Sequence, residues 1–430
     1  MWKLLLLSLT WPSVAIAQQA SLQQLEALMR KAVNTTGPVE VALVNRDSIR
    51  YLESFGKSAS EAHPQRIYAA SQWLAAATLL TLVDEGRISL DEPVSRHIKQ
   101  LKNERDQITL RQLLTHTSGL PANSIYIMDT TLSLQRSVTK ALRHARLVAL
   151  PGTQFIYGHI SYQVAGRLAE VITGKDWETI FQEKIAIPCG MTHTTFGSGR
   201  SVHVAEGAIS TAADFVNFLR MILNKGQFNG RQILSENAVD AMLRDYIRSL
   251  EVGYTPYHFK AAKLSDYYGL GVWINRISIT DSTTTEVSCR GGNGFTAWIN
   301  LCTQTGGVLG FDSDMSLAEP IIREAKVIVD AITDKDCADT EPAPRPFSRI
   351  EELTDSPHLV HVLVQVEEDA PVSLRLFDLL GNELQVLING PTKAGAYMVP
   401  INTALLPPGV YFYRLSIGDK VETKKIKVKK

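Results

Sequence analysis

Residues Arg66 to Pro93 read RIYAASQWLAAATLLTLVDEGRISLDEP, and this stretch limits the fold of the chain more than any other. From Trp73 to Val83 it is almost unbroken in apolar residues and rich in Ala and Leu, both strong helix formers. Gly86 follows, where a left-handed cap would end such a helix. A helix that is apolar on nearly all sides must be buried, so it is expected at the centre of a large domain. With 430 residues the chain has room for that domain and a second, smaller one.

Composition narrows the function classes. The chain is 45% hydrophobic and 20% charged, an ordinary globular balance, with 44 basic and 44 acidic residues. Bulk charge therefore gives no reason to expect a nucleic-acid partner or an acidic substrate. Residues 1–17 read as a signal peptide: Lys3 precedes a short apolar run, and Ala15-Ile16-Ala17 offers a cleavage site. That run is too short to span a bilayer, so no stable membrane span is expected. The four cysteines, Cys189, Cys289, Cys302 and Cys337, lack C-x-x-C spacing, and neither a metal nor a cofactor is expected. Export permits disulfides, but three full pairings remain open, as do buried free thiols.

Along the chain, residues 20–35 show helical periodicity. Two short strands follow, VEVALVNRD and IRYLESFGK, turning at Arg46-Asp47-Ser48. ITLRQLLTHTSGLP (108–121) reads as a short helix stopped by Ser118-Gly119 and Pro121. His116 within it is expected to tie down a loop through hydrogen bonds. Helices are expected over Ser161–Thr173, ended by Gly174, and from Asp176 to Ile185. A further one is capped by Ser210 or Thr211, with Asp214 in its first turn. Tyr268 to Phe311 then read as strands joined by Gly-rich turns.

These motifs in this order resemble the serine β-lactamase and penicillin-binding-protein family, most closely its class C-like hydrolases. LVDEGRISLDEPV matches the tail of the family's nucleophile helix, and ITLRQLLTHTSGLP is its most specific signature here. The resemblance implies an α/β (α+β) domain over 18–337, an antiparallel sheet flanked by helices. It also implies a hydroxyl and an amine one helical turn apart, so that the Lys can take a proton from the Ser. In register, the nucleophile position falls on Ala69 and the base on Gln72. Neither can do that chemistry. Ser71 lies about 200° round the helix from position 69, and a shifted frame puts Leu74 where its base should be.

The family's Tyr-x-Asn falls on Tyr157-Gly158-His159. Tyr157 is kept as a candidate for proton transfer, and His159 replaces the Asn. On the strand expected to edge the site, Cys289-Arg290-Gly291 stands where His or Lys, any residue and Gly are usual, and Gly294 follows. Arg290 and Gly291 are candidates for lining a binding pocket, with Arg290 offering charge to an anionic ligand.

The Pro-rich segment 338–349 reads as a linker. Residues 350–430 then alternate in short strands with turns about every ten residues, as in a small Ig-like β-sandwich. This pattern resembles the C-terminal sorting domain of the type IX secretion system of Bacteroidota. That resemblance implies secretion across the outer membrane, with the type IX machinery as a partner. The expectation is an exported protein that keeps its pocket for a small-molecule, peptide or peptidoglycan-like ligand but has lost catalysis. The competing expectation is an active hydrolase using Ser71 with Tyr157.

Overall fold

The computed structural model describes residues 11–56, 63–197, 201–248, 250–255, 267–278, 283–333, 340–342, 348–352, 359–366, 369–379, 381–393, 395–403, 406–418 and 420–428. The start of the signal segment, Cys337 and most of the expected linker lie outside these residues. The chain divides into two units, the second containing 344–430.

The first unit is built on a seven-stranded antiparallel sheet: β1 (Val39–Asn45), β2 (Ile49–Phe55), β3 (Trp273–Ser278), β4 (Thr284–Arg290), β5 (Thr296–Asn300), β6 (Thr305–Phe311) and β7 (Thr340–Pro342), in the order β7-β3-β4-β5-β6-β1-β2. One face is covered by α1 (Trp11–Thr36) and α5 (Met315–Thr333). Leu25 and Met29 of α1 meet Ala318, Ile322 and Val329 of α5 over Trp298, Leu309 and Phe311. α1 begins nine residues before the expected 20 and takes in part of the segment read as a signal.

The other face carries the main core, with α2 (Ser71–Asp84) at its centre. Every α2 residue from Ser71 to Leu82 is buried. Trp73 sets its ring edge-on to Phe215 and Phe218 of α4 (Ala212–Leu223), and its indole N–H meets Met242 Sδ at 3.0 Å. Gly86 has φ +67°, the left-handed conformation expected of it. α3 (His159–Thr173) packs against α2 and ends at left-handed Gly174. Asp176 caps the next helix, Trp177–Phe181, which continues as a π-turn through Gln182–Ala186. Thr211 is the cap of α4: its Oγ1 accepts from the Asp214 N–H at 3.1 Å.

Alternation along β4 decides the direction of each candidate there. Val287 and Cys289 face the α2 core, while Glu286 and Arg290 face α5 and pair with Lys326 and Glu319. Cys189 and Cys289 are free and buried. Burial pushes the Cys189 thiol up to about 12 and the Cys289 thiol higher still. Cys302 is disulfide-bonded. Among the described residues no helix is long and apolar enough to cross a membrane.

The second unit, taken by itself, has two antiparallel sheets. One holds Ser348–Glu352, Leu359–Val366 and Gly395–Asn402, and the other Glu383–Thr392, Ala370–Phe377, Gly409–Ile417 and Lys420–Val428. Inward residues of both, among them Val362, Val364, Leu374, Leu376, Ile401, Tyr413 and Leu415, form one core, as in a sandwich.

Candidate functional site

The backbone reaches the nucleophile position through a tight turn. Tyr68 has φ +44°, uncommon for a residue with a side chain, and opens a single 3₁₀ turn, Tyr68–Ala70, that runs straight into α2. Ala69 in that turn is buried. The β4–β5 connection is clamped onto the same segment, with Asn293 Nδ2 donating to the Arg66 carbonyl at 2.7 Å. Gly291 lies so close that a Cβ there would stand 2.5 Å from the Ile67 carbonyl oxygen. Gly291→Ala is therefore expected to cost about 1–3 kcal/mol in denaturant unfolding. Gly292→Ala, where a Cβ meets nothing within 4 Å, should leave stability nearly unchanged.

One turn on from Ala69, at the second residue of α2, Gln72 is fully buried. Its Oε1 accepts from His116 Nε2 at 2.9 Å and from the Tyr268 hydroxyl at 3.0 Å. The amide orientation follows from His116. His116 Nδ1 accepts the Gly158 N–H at 3.3 Å, so the ring proton sits on Nε2 and must meet an oxygen. Burial, with His159 adding to it, holds the His116 pKa well below the usual histidine range and keeps the ring neutral. Gln72 Nε2 is left buried without a hydrogen-bond partner. In this network a carboxamide oxygen stands where a base would need a lone-pair nitrogen. His116 has its lone pair on a backbone amide and its proton on Gln72.

Aromatic rings enclose this centre. Tyr157 is 3% exposed, stacks on Trp273 (5.6 Å, 23°) and lies 4.3 Å from the His116 ring. Tyr162, Tyr268 and Phe155 complete the packing around His116. Tyr157 and Gln72 thus converge on His116.

Ser71 is fully buried and its Oγ accepts the Ala208 N–H at 3.0 Å. It serves as a tether for the turn through Glu206–Ala208, whose Ala208 carbonyl also accepts the Ile67 N–H. His159, at the head of α3, pairs through Nε2 with Glu206 Oε1 at 2.9 Å, and its ring meets His203 edge-on at 5.0 Å. Burial alone would raise the Glu206 carboxyl, but the His159 bond and the two imidazoles bring it below the usual range.

Arg290 corrects the sequence reading. Its guanidinium donates to Glu319 at 2.8 Å on the α5 face, with side-chain exposures of 12% and 5%. It points away from Cys289 across the sheet and offers no charge to a ligand in the cleft. Sequence reasoning also passed over Tyr268, Trp273, His203 and Glu206. Tyr268 and Trp273 stood in a quoted strand motif but read as scaffold. Glu206 lay in a segment, 205–235, that read as scaffold, and His203 carried no local signature.

The beta-lactamase family model matches residues 25–317. The chain belongs to the beta-lactamase family. A solved candidate beta-lactamase from Bacteroides dorei DSM 17855 is 30% identical, with TM-score 0.63, covering 71% of this chain and 97% of that one. Simvastatin synthase (LovD6 mutant) from Aspergillus terreus shares the fold at TM-score 0.59 and 20% identity, covering 73% and 98%. Among curated relatives, Protein flp of Staphylococcus aureus (strain MRSA252) is 31% identical over 137 residues, 30% of this chain and 28% of that protein. Monacolin J acid methylbutanoyltransferase of Aspergillus terreus (strain NIH 2624 / FGSC A1156) is 29% identical over 211 residues, 40% and 51%. The alignments thus span 28% and 51% of these two curated relatives' lengths.

Proposed function

We propose that this protein is an exported member of the family that has given up acyl transfer through a serine and keeps its cleft to bind a small-molecule, peptide or peptidoglycan-like ligand. The observation that carries the reading is the pair Ala69 and Gln72. A methyl group occupies the position of attack, and the neighbouring carboxamide oxygen is held by two donors, His116 and Tyr268. Acyl transfer of the kind named for the Aspergillus terreus relative needs a nucleophile and a base. Here Tyr157 lies against His116, which is neutral and bonded on both nitrogens.

The alternative, a hydrolase acting through Ser71, finds no support in this geometry. The hydroxyl is sealed from solvent and bonded to the Ala208 amide. The test is covalent mass after incubation with a chromogenic β-lactam and with a fluorophosphonate. The wild-type chain should gain none. Added mass at Ser71, abolished by Ser71→Ala, would overturn the reading.

Export is supported by the apolar segment before Gln18 and by the C-terminal sandwich, which resembles a type IX sorting domain. In a host carrying that secretion system, the full chain should reach the medium or the cell surface. Removal of 350–430 should leave it in the periplasm. Equal secretion of both forms would exclude the sandwich as the address.

A further inference from the structure

The helix Leu134–His144 has one inward and one outward face. Leu134, Val138, Ala141 and Leu142 are buried in the main core. Arg136, Lys140 and Arg143 are exposed, and spacings of four and then three residues set them on one side of the helix. Beyond the helix the chain alternates with a period of two. Leu147 packs against the core, while Arg146, Val148 and Leu150 are exposed. From Thr130 to Ala169 the sequence holds no Asp or Glu. The formal charge of the whole chain is zero, so positive charge is set apart here rather than spread over a basic protein.

Among the described residues Arg136, Arg143 and Arg146 form no ion pair. Lys140 lies over the Tyr126 ring at 5.7 Å, and that ring stacks on His144 at 5.2 Å and 28°. These contacts clip the short turn Ile125–Met128 to the basic helix. On that turn Ile125 is 79% exposed and Met128 55%; Val148 and Leu150 stand out at 60% and 67%. Asp129, at the junction, accepts from the Thr131 N–H and hydroxyl and offsets one of the four charges. The neighbouring turn brings Lys102, Glu104, Arg105 and Asp106, whose charges cancel. Arg105 itself is turned to the Leu142 and Ala145 carbonyls at the end of the helix.

Cations without counter-ions, bordered by protruding apolar side chains, suit a surface that is anionic and also admits apolar groups a short way in. A free phosphate would answer the cations and leave the apolar groups in water. An acidic protein would have to provide a separate hollow for each protrusion, whereas lipids rearrange around them. We propose that this face binds an anionic lipid surface, with the four cations at the phosphates and the four apolar side chains at the boundary between headgroups and acyl chains. Such binding is peripheral and uses no membrane-spanning segment. The face adjoins the candidate site: the Val148 N–H donates to the Gly119 carbonyl at 2.9 Å, and the Ala122 carbonyl accepts the His159 N–H at 2.7 Å. The proposal holds whether or not the site acylates.

The experiment is co-sedimentation of the full chain with phosphatidylcholine vesicles prepared with and without phosphatidylglycerol. Each Lys or Arg near an anionic surface is worth about fivefold in partition. The wild-type chain should bind the phosphatidylglycerol vesicles at least about tenfold more strongly than the neutral ones, and salt should weaken that binding. The first residues are apolar and the last strand is rich in Lys, so comparison with variants decides. Combined Arg136→Gln, Lys140→Gln and Arg143→Gln should weaken binding more than about tenfold. Ile125→Asn with Leu150→Asn should weaken it separately. All five side chains are exposed, so unfolding midpoints should stay close to wild type. Equal binding to both vesicles, undiminished binding by the folded triple variant, or capture by poly-L-glutamate without vesicle binding would overturn the proposal.

Discussion

Gln72→Leu is expected to destabilise the first unit by about 2–5 kcal/mol, although leucine nearly fills the same volume. The reason is the pair of donors that Gln72 Oε1 satisfies. His116 Nε2–H and the Tyr268 hydroxyl both point at it, and all three side chains are buried. Leucine would take the Gln72 oxygen away from both donors, at about 1–3 kcal/mol each. Denaturant unfolding followed by Trp fluorescence checks this, with Thr78→Val as a companion. Thr78 bonds only its own helix, to the Leu74 carbonyl at 2.8 Å, and the change should cost about 1 kcal/mol. If the two substitutions cost the same, Gln72 is not the centre of the network described. Gln72 thus holds a stabilising role at a position where relatives are expected to keep a reactive amine.

The second large effect is acid sensitivity. His203 titrates at about 4 in the fold against an ordinary 6.5. Above 6.5 both folded and unfolded chains hold it neutral, and its contribution is complete. Between 6.5 and 4 the unfolded chain takes up the proton and the fold does not, so stability falls as pH falls. The loss from His203 amounts to about 3 kcal/mol by pH 4. His116, also depressed by burial, acts in the same direction. Glu170 and Asp245, raised by burial, act oppositely and offset part of the loss. Unfolding free energy measured from pH 7.5 to pH 4 should decline, and His203→Gln should flatten the decline. Such flattening would place the acid response in the His203–Gly207 turn.

Much of the scaffold was legible because local rules governed it. The apolar run Trp73–Val83 demanded burial and became α2, and Gly86 took the left-handed cap that its position required. The β1–β2 hairpin turned at Arg46-Asp47-Ser48, and Thr211 capped α4. The site was less legible because its partners are distant in sequence. Gln72 meets His116 at a separation of 44 residues and Tyr268 at 196, and neither spacing leaves a pattern. His203 and Glu206 depend on a turn whose position is set by Ser71 and Ile67. Arg290 is a different case. The period of two in EVSCR already places Cys289 and Arg290 on opposite faces of β4, and the presence of Glu319 on α5 then decides which way the charge goes. Within the Pro-rich stretch after Cys337, Thr340–Pro342 pairs into the main sheet as β7 and Ser348 opens a strand of the second unit, so composition alone overstated the linker; the rest of it lies outside the described residues.

The proposed loss of acylation turns first on two atoms, a hydroxyl oxygen at position 69 and an amine nitrogen at position 72, where Ala69 and Gln72 stand. Ala69→Ser combined with Gln72→Lys supplies both one turn apart, across the 3₁₀ turn and the start of α2. The lysine would enter a fully buried place facing the His116 Nε2–H, so burial favours its neutral, proton-accepting form. Some stability should be lost, because Gln72 no longer offers its oxygen to both donors. The deciding measurement is intact-protein mass spectrometry after exposure to a β-lactam and a fluorophosphonate. The account predicts no adduct on the wild-type chain and a single adduct at position 69 of the double variant. An adduct on the wild-type protein, at any residue of the cleft, would contradict it.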